Sequence, residues 1–108
     1  MKRGDVVIVS APGDFGKPRP AVVIQSDIFD QEEATVVLCL VTTSLQDTPL
    51  YRLTVDPAEH NGLREKSQIM ADKIFTFRRK RIRGPIGAID GATMLELNRA
   101  LILFLGLA

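Results

Sequence analysis

The chain has 108 residues, a hydrophobic share of 45% and a net charge of +1. That length suits one domain with one core, so a second domain is not expected. No apolar run is long enough to span a membrane and the first residues lack a signal-peptide pattern, so a cytoplasmic protein without membrane contact is expected. The one cysteine, Cys39, excludes an intramolecular disulfide. Within an apolar run it is expected to be a small buried side chain.

Positive charge is concentrated in one part of the chain. Six of the fourteen basic residues lie between positions 73 and 83, and no acidic residue does. Such a window can form a surface that faces phosphates, or a solvated turn.

The first quarter of the chain predicts two strands. Residues 5–9 and 20–25 are short β-branched runs, and the segment between them is dense in turn formers. This pattern indicates two strands joined by a loop.

The next elements are a short helical turn and two further strands. Ser26 or Asp27 can cap one turn over residues 28–31. Residues 35–42 are continuously apolar up to the final threonine, which predicts a strand buried on both faces. A fourth strand is predicted at residues 51–55.

The second half predicts a surface loop, two strands and a helix. Residues 56–66 are polar and contain Asn-Gly, which favours a loop. Residues 67–77 and 85–89 are the fifth and sixth strand candidates. Asp90 can then cap a helix of about fifteen residues.

The final helix carries an apolar stripe and further apolar residues outside it. The stripe at helical spacing consists of Met94, Leu97, Leu101, Phe104 and Leu105. Because Leu95, Ile102 and Leu103 lie elsewhere on the helix, we expect it to be covered on more than one side. The short connections between strands favour a mainly β fold, with a strongly curved, partly closed antiparallel sheet and a C-terminal helix.

Several common chemistries lack their residues. The sequence has no Gly-rich phosphate loop of the Walker type, no zinc-ligand spacing and no nucleophile-elbow serine. Its acidic residues are scattered, which disfavours a Mg²⁺-dependent nuclease. The one histidine, His60, has the neighbours of an ordinary surface-loop residue. No metal or cofactor is therefore expected.

Four segments, in order, resemble motifs of the MazF/PemK toxin family. They are Lys2-Arg3-Gly4-Asp5-Val6-Val7-Ile8-Val9, Lys17-Pro18-Arg19-Pro20-Ala21-Val22-Val23-Ile24-Gln25-Ser26-Asp27, Leu40-Val41-Thr42-Thr43-Ser44, and Ser67-Gln68-Ile69-Met70-Ala71-Asp72-Lys73-Ile74-Phe75-Thr76-Phe77. The resemblance covers nearly the whole chain. It implies a small SH3-like barrel of the CcdB/PemK/MazF type.

The resemblance also implies a metal-independent cut in single-stranded RNA. In that reaction a ribose 2′-OH attacks the adjacent phosphate and leaves a 2′,3′-cyclic phosphate and a 5′-OH. Arg19 and Thr42 match the family's functional arginine and threonine. Arg19 is expected to stabilise charge on the phosphate, because an arginine is a poor base, and Thr42 to bond another oxygen or orient the hydroxyl. The alternatives are a solvated loop arginine flanked by prolines for Arg19 and a strand-end threonine with a local backbone hydrogen bond for Thr42.

Further residues near this pair are expected to contact RNA. They are Asp14, Lys17, Thr43, Ser44, Asp72, Arg78 and Arg79. Thr43 and Ser44 are also close substitutes for Thr42, and Asp72 matches a family aspartate whose role is either catalytic or in base contact. Asp14 lies where many members have a glutamate in the first loop.

The resemblance leaves three functions to compare. The first is a ribonuclease toxin that acts as a homodimer and is blocked by a cognate antitoxin segment that folds on binding. The second is a CcdB-like toxin that poisons DNA gyrase by contact without being an enzyme. The third is an inactive or regulatory RNA-binding module.

Overall fold

A computed structural model describes residues 1–10, 17–30 and 35–107 of the chain. Within these residues the fold consists of six strands followed by one α-helix. The strands are β1 (Asp5–Ser10), β2 (Pro18–Val23), β3 (Thr35–Thr42), β4 (Arg52–Val55), β5 (Ser67–Arg78) and β6 (Arg83–Ala88), and the helix α1 is Gly91–Leu105. Short 3₁₀ turns lie at Asp27–Phe29 and Arg79–Arg81.

The strands form one sheet in the order β4-β5-β3-β2-β1-β6, and every neighbouring pair is antiparallel. The sheet curls into a half-barrel, which confirms the predicted curved, partly closed antiparallel fold. Register shifts in the β1–β6 and β3–β5 pairs mark the irregularities that help a sheet to bend.

Strand β3 lies at the centre of the sheet and is buried on both faces, as its continuous apolarity predicted. Leu38 and Leu40 face one apolar layer and Cys39 and Val41 the other, because side chains alternate along a strand. The layer on the first face consists of Val7, Val9, Ala21, Val23, Val36, Leu38, Leu40, Met70 and Phe77. The layer on the second face lies beneath the helix and includes Val6, Val22, Cys39, Val41, Ile69 and Leu97.

Helix α1 begins where the sequence predicted. The Asp90 side chain accepts a hydrogen bond of 2.8 Å from the Thr93 backbone N–H, and Gly106 ends the helix in a left-handed conformation at φ 69°. The buried face consists of Leu97, Ala100 and Leu101.

The expectation that α1 is covered on more than one side does not hold within one chain. Leu95 and Leu103 are 60% and 59% exposed, and Phe104 and Leu105, expected in the buried stripe, are 48% and 50% exposed. The helix packs on β4 and β5, and its fully buried residues lie in its middle turns, so Ala100 rather than the last turn completes the buried face.

The predicted bounds of the elements differ by a few residues from the observed ones. Strand β2 begins two residues earlier than predicted because Pro18 and Arg19 pair with Ser10 and Val9. Strand β6 begins at Arg83, which lies opposite Ile8 in the register. In the described part of the chain, no helix is long and apolar enough to cross a membrane.

Candidate active site

The two expected functional residues lie on adjacent strands, Arg19 on β2 and Thr42 at the end of β3. The observed pairing of these strands runs from Val23 opposite Leu38 to Ala21 opposite Leu40. Extended by two residues along each strand, this register would place Arg19 opposite Thr42, on the face of Ala21 and Leu40, because every second residue of a strand lies on the same face. Directly opposite residues of an antiparallel pair have Cβ atoms about 5 Å apart.

Thr42 is a half-buried residue at the end of β3, where the strand leaves the sheet. Its Oγ1 accepts a hydrogen bond of 3.1 Å from the Ser44 backbone N–H. This is the local bond expected of a strand-end threonine, and it fixes the hydroxyl in position. The hydroxyl hydrogen stays available to donate to a further oxygen, because a threonine hydroxyl both donates and accepts.

Gln68 is a residue near this site that the sequence analysis did not select. It lies opposite Thr42 on β5 and is 4% exposed. Its amide accepts from the Gln46 backbone N–H at 3.0 Å and donates to the Gln46 carbonyl at 2.8 Å and to Thr54 Oγ1 at 3.2 Å. Both polar ends of the side chain are therefore used, and they fix the segment that follows Thr42. The available signal was its position directly before the apolar run of residues 69–71.

Asp72 has a protein partner. Its Oδ2 lies 3.2 Å from the Arg52 guanidinium, and the two side chains are 15% and 10% exposed. Asp72 Oδ1 and Arg52 Nε are buried without a hydrogen-bond partner. The geometry therefore favours a structural ion pair between β4 and β5 over base contact, and removing one member would leave a buried charge.

The basic window divides into residues with different surroundings. Arg79 forms an ion pair with Asp30 and its side chain is 19% exposed, so its charge is already compensated. Arg78 is exposed at the end of β5, opposite Thr35. Lys73 is exposed on β5, and three further cations of the window, Lys80, Arg81 and Arg83, are exposed and line a cavity with Pro18.

The other expected RNA contacts lie at the ends of β2 and β3. Lys17 is exposed immediately before β2, and Thr43 and Ser44 are exposed immediately after β3. Thr43 lines a cavity together with Pro20 and Ser67. Asp14 lies outside the described residues.

Two chemically notable residues lie away from this arrangement. Cys39 is fully buried, and burial together with the charge of Asp72 raises its pKa to about 12, so the thiol is inert at neutral pH. His60 is exposed, with Nε2 3.9 Å from an Asp90 carboxylate oxygen, as expected of a surface histidine. Among the residues with described positions, no three His, Cys, Asp or Glu side chains are grouped so as to hold a metal ion.

The sequence is similar to curated endoribonucleases over its full length. It is 39% identical to a probable endoribonuclease MazF of Mycolicibacterium smegmatis, over 100% of this chain and 99% of that protein. It is 28% identical to the endoribonuclease EndoA of Bacillus subtilis, over 99% of this chain and 96% of that protein.

Solved structures share the fold. An endoribonuclease in complex with its cognate antitoxin from a mycobacterial species superposes with a TM-score of 0.84 at 24% identity, over 100% of this chain and 97% of that one. A MazE–MazF structure from Deinococcus radiodurans gives a TM-score of 0.76 at 20% identity, over 100% of this chain and 98% of that one. The model of the PemK-like, MazF-like toxins of type II toxin–antitoxin systems matches residues 2–105. The chain therefore belongs to this family of toxins.

Proposed function

We propose that this toxin is a metal-independent endoribonuclease that cuts single-stranded RNA at a site built around Arg19 and Thr42. The observation that supports it most is the antiparallel β2–β3 pairing, since an extension of its register by two residues favours a position of Arg19 opposite Thr42. Membership of the PemK/MazF-like family and the endoribonuclease names of its relatives favour this function over CcdB-like poisoning of gyrase.

The proposed reaction is an internal transfer within RNA. The ribose 2′-oxygen forms a bond to phosphorus and releases its proton, while the bond from phosphorus to the 5′-oxygen breaks and that oxygen gains a proton. The products are a 2′,3′-cyclic phosphate and a 5′-OH. Negative charge grows on the non-bridging oxygens during attack, and the guanidinium of Arg19 is suited to stabilise it through paired hydrogen bonds. The hydroxyl of Thr42 donates to a second oxygen or orients the nucleophile.

The proposal includes two protein partners. One is a second copy of the chain, in a homodimer with two symmetry-related sites. The other is a cognate antitoxin with a segment that folds on binding and blocks the site, which fits the antitoxin complexes formed by structural relatives. The proposed place of action is the cytoplasm.

The test is cleavage of single-stranded RNA by purified protein in the presence of EDTA, with the new 5′ ends mapped. Arg19→Ala is expected to lower the rate about 100-fold or more, and Thr42→Val about tenfold or more, because each removes a group that stabilises the developing charge. The 5′ ends should be hydroxyls.

His60→Ala is the matched control and should cut at the wild-type rate. The proposal is wrong if wild-type protein leaves RNA intact, or if Arg19→Ala cuts as fast as wild type and still arrests growth when induced. DNA breaks that depend on gyrase, without RNA cleavage, would instead support the CcdB-like function. Tight RNA binding with no product would support the inactive RNA-binding module.

A further inference from the structure

Two adjoining cavities form one groove that begins at the ends of β2 and β3. Their volumes are about 430 Å³ and 690 Å³, and Ile8, Pro18 and Arg83 line both. We call this feature the basic groove and define it by Ile8, Pro18, Arg64, Lys80, Arg81 and Arg83.

Within residues 1–10, 17–30 and 35–107, the cations of the basic groove form no ion pair. Arg64, Lys80, Arg81 and Arg83 are all exposed. In the described part of the chain the ion pairs involve other cations, those of Arg52, His60 and Arg79. The carboxylate among the described lining residues is that of Glu65, so four positive charges face one negative charge. Such an imbalance in a concave surface attracts an anionic chain.

Ordered backbone carries these cations. Arg83 lies on β6 opposite Ile8. The 3₁₀ turn that bears Lys80 and Arg81 is closed by a hydrogen bond of 3.0 Å from the Ile82 N–H to the Arg79 carbonyl, and the Arg79–Asp30 ion pair anchors its start. Because the backbone is already fixed, binding would have to order only the side-chain ends.

The backbone on the other side of the basic groove is also closely packed. Gly62 adopts φ +71°, and a Cβ there would lie 2.4 Å from the Ile86 carbonyl oxygen. The loop before β5 and strand β6 therefore leave no room for a side chain at residue 62, and Arg64 follows two residues later in the same loop.

The basic groove is lined by the chain neighbours of the proposed catalytic pair. Pro18 and Pro20 flank Arg19, and Thr43, which follows Thr42, also lines the groove. Alternation along the strands places Arg19 and Thr42 on the other face, so an RNA strand would pass around the strand ends to connect the two regions.

We propose that the basic groove binds the sugar-phosphate backbone of nucleotides that flank the cleaved bond in single-stranded RNA. This inference rests on the proposed ribonuclease function. The apolar lining is aliphatic, from Ile8, Pro18, Pro20, Leu63 and Ile86, and the described lining has no aromatic ring on which a base could stack. The groove therefore supplies affinity that depends on length and salt and is largely independent of sequence.

The test measures binding of 2′-O-methyl oligonucleotides, which lack the attacking hydroxyl, centred on the mapped cleavage sequence. A short oligonucleotide of about six nucleotides is compared with a long one of about sixteen. Wild type should bind the long one more tightly. Arg81→Ala/Arg83→Ala should weaken long-oligonucleotide binding about tenfold, lower its salt slope by about 1.4 and leave the short one nearly unchanged, because two phosphate contacts are lost.

The control is Lys2→Ala/Lys73→Ala, which removes two exposed lysine charges outside the groove. It should bind both oligonucleotides like wild type, and thermal melts should show that all variants fold. The inference is overturned if the groove variant keeps the wild-type length and salt dependence, or loses affinity equally for both lengths. Selective loss of binding to a polyglutamate peptide, with oligonucleotide binding intact, would also overturn it by assigning the groove to an acidic protein segment.

Failure of this inference and failure of the proposed function give different results. Normal RNA cutting with no effect of the groove substitutions leaves the ribonuclease in place and removes the groove from it. Absence of cleavage, with length-dependent binding that needs Arg81 and Arg83, removes the activity and keeps the groove as a binding site for single strands.

Discussion

Charged side chains at and near the proposed site differ in burial and in whether they form ion pairs within the protein. Arg79 and Asp72 both have partners of opposite charge, and Asp72 is largely buried. The exposed Arg81 and Arg83 are free of ion pairs in the described part of the chain and can contact phosphate without breaking an existing bond. At the residue scale, the sum of charge in the basic window is therefore less informative than the partner of each cation.

Gln68 is predicted both to stabilise the fold and to position Thr42. Gln68→Leu removes two hydrogen bonds to Gln46, in the segment after Thr42, and one to Thr54 on β4, so it should lower the free energy of unfolding by about 1–3 kcal/mol. Displacement of Thr42 should also lower kcat of RNA cleavage about 10- to 100-fold, with a smaller effect on KM. Chemical denaturation and single-turnover kinetics measure the two effects.

Thr54→Val is the matched control, because it removes only one of these hydrogen bonds and keeps both bonds to Gln46. It should retain most of the cleavage rate. If Gln68→Leu is destabilised but cuts RNA with wild-type kcat, Gln68 is structural and does not position the site.

The bounds of α1 depend on local capping residues, whereas the burial and register of β5 depend on pairing with other strands. Helix α1 has local start and stop signals, in Asp90 and Gly106. Strand β5, by contrast, is fully buried from Ser67 to Ala71 and only partly beyond, because β4 pairs with just its first third. Its register with β3 shifts between Cys39 and Val41, which no residue pattern indicated.

The Asp90 cap of α1 is predicted to stabilise the protein in a pH-dependent way. The backbone hydrogen bond from Thr93 lowers the pKa of Asp90 below its ordinary value of 3.8. The stabilisation is therefore complete above that ordinary value and is lost as pH falls through the lowered pKa in the folded protein. Asp90→Ala should lower Tm at neutral pH, whereas Asp90→Asn should keep the cap and most of the Tm.

Thermal melts between neutral pH and about pH 2 test the cap. The wild type should lose the advantage over Asp90→Ala in acid, and His60→Ala should melt like wild type at neutral pH. Equal Tm values for wild type and Asp90→Ala at neutral pH would show that the cap contributes nothing measurable.

Several large apolar side chains on α1, and one just after it, are exposed to solvent in the single chain. Leu95, Leu103 and Leu107 are 60%, 59% and 70% exposed, and Leu50 beside the helix is 68% exposed. Leu50 and Leu103 line a shallow cavity of about 270 Å³ with Glu96 and Arg99 at its edge. Apolar patches with a polar rim are typical of protein interfaces.

The corresponding prediction concerns self-association. Wild-type protein should be a dimer by light scattering at micromolar concentration, and Leu103→Glu should raise the dimer dissociation constant at least tenfold, because a charge placed in an apolar interface is costly to bury. Leu45→Glu changes an exposed leucine outside α1 and serves as control. A Leu103→Glu protein that stays as dimeric as wild type would show that this face is not the dimer contact.

The strands, the capped helix, the curved antiparallel sheet and the family could all be predicted from the sequence alone. These follow from local signals: β-branched runs, turn formers, the cap at Asp90 and motifs that occur in order along the chain. Residue motifs also selected Arg19 and Thr42, but the proposal that they act on one phosphate depends on the pairing of β2 with β3.

The three-dimensional contacts determine which polar residues are paired within the protein and which remain exposed for ligand binding. Strand pairing sets Gln68 beside Thr42 and Arg52 against Asp72, although each pair is separated by about twenty residues or more along the chain. Chain folding likewise joined Arg64 to Lys80, Arg81 and Arg83 around one groove. Contacts between distant segments depend on sheet order and on the bulge in β5, and neither is encoded in the local spacing of the residues concerned.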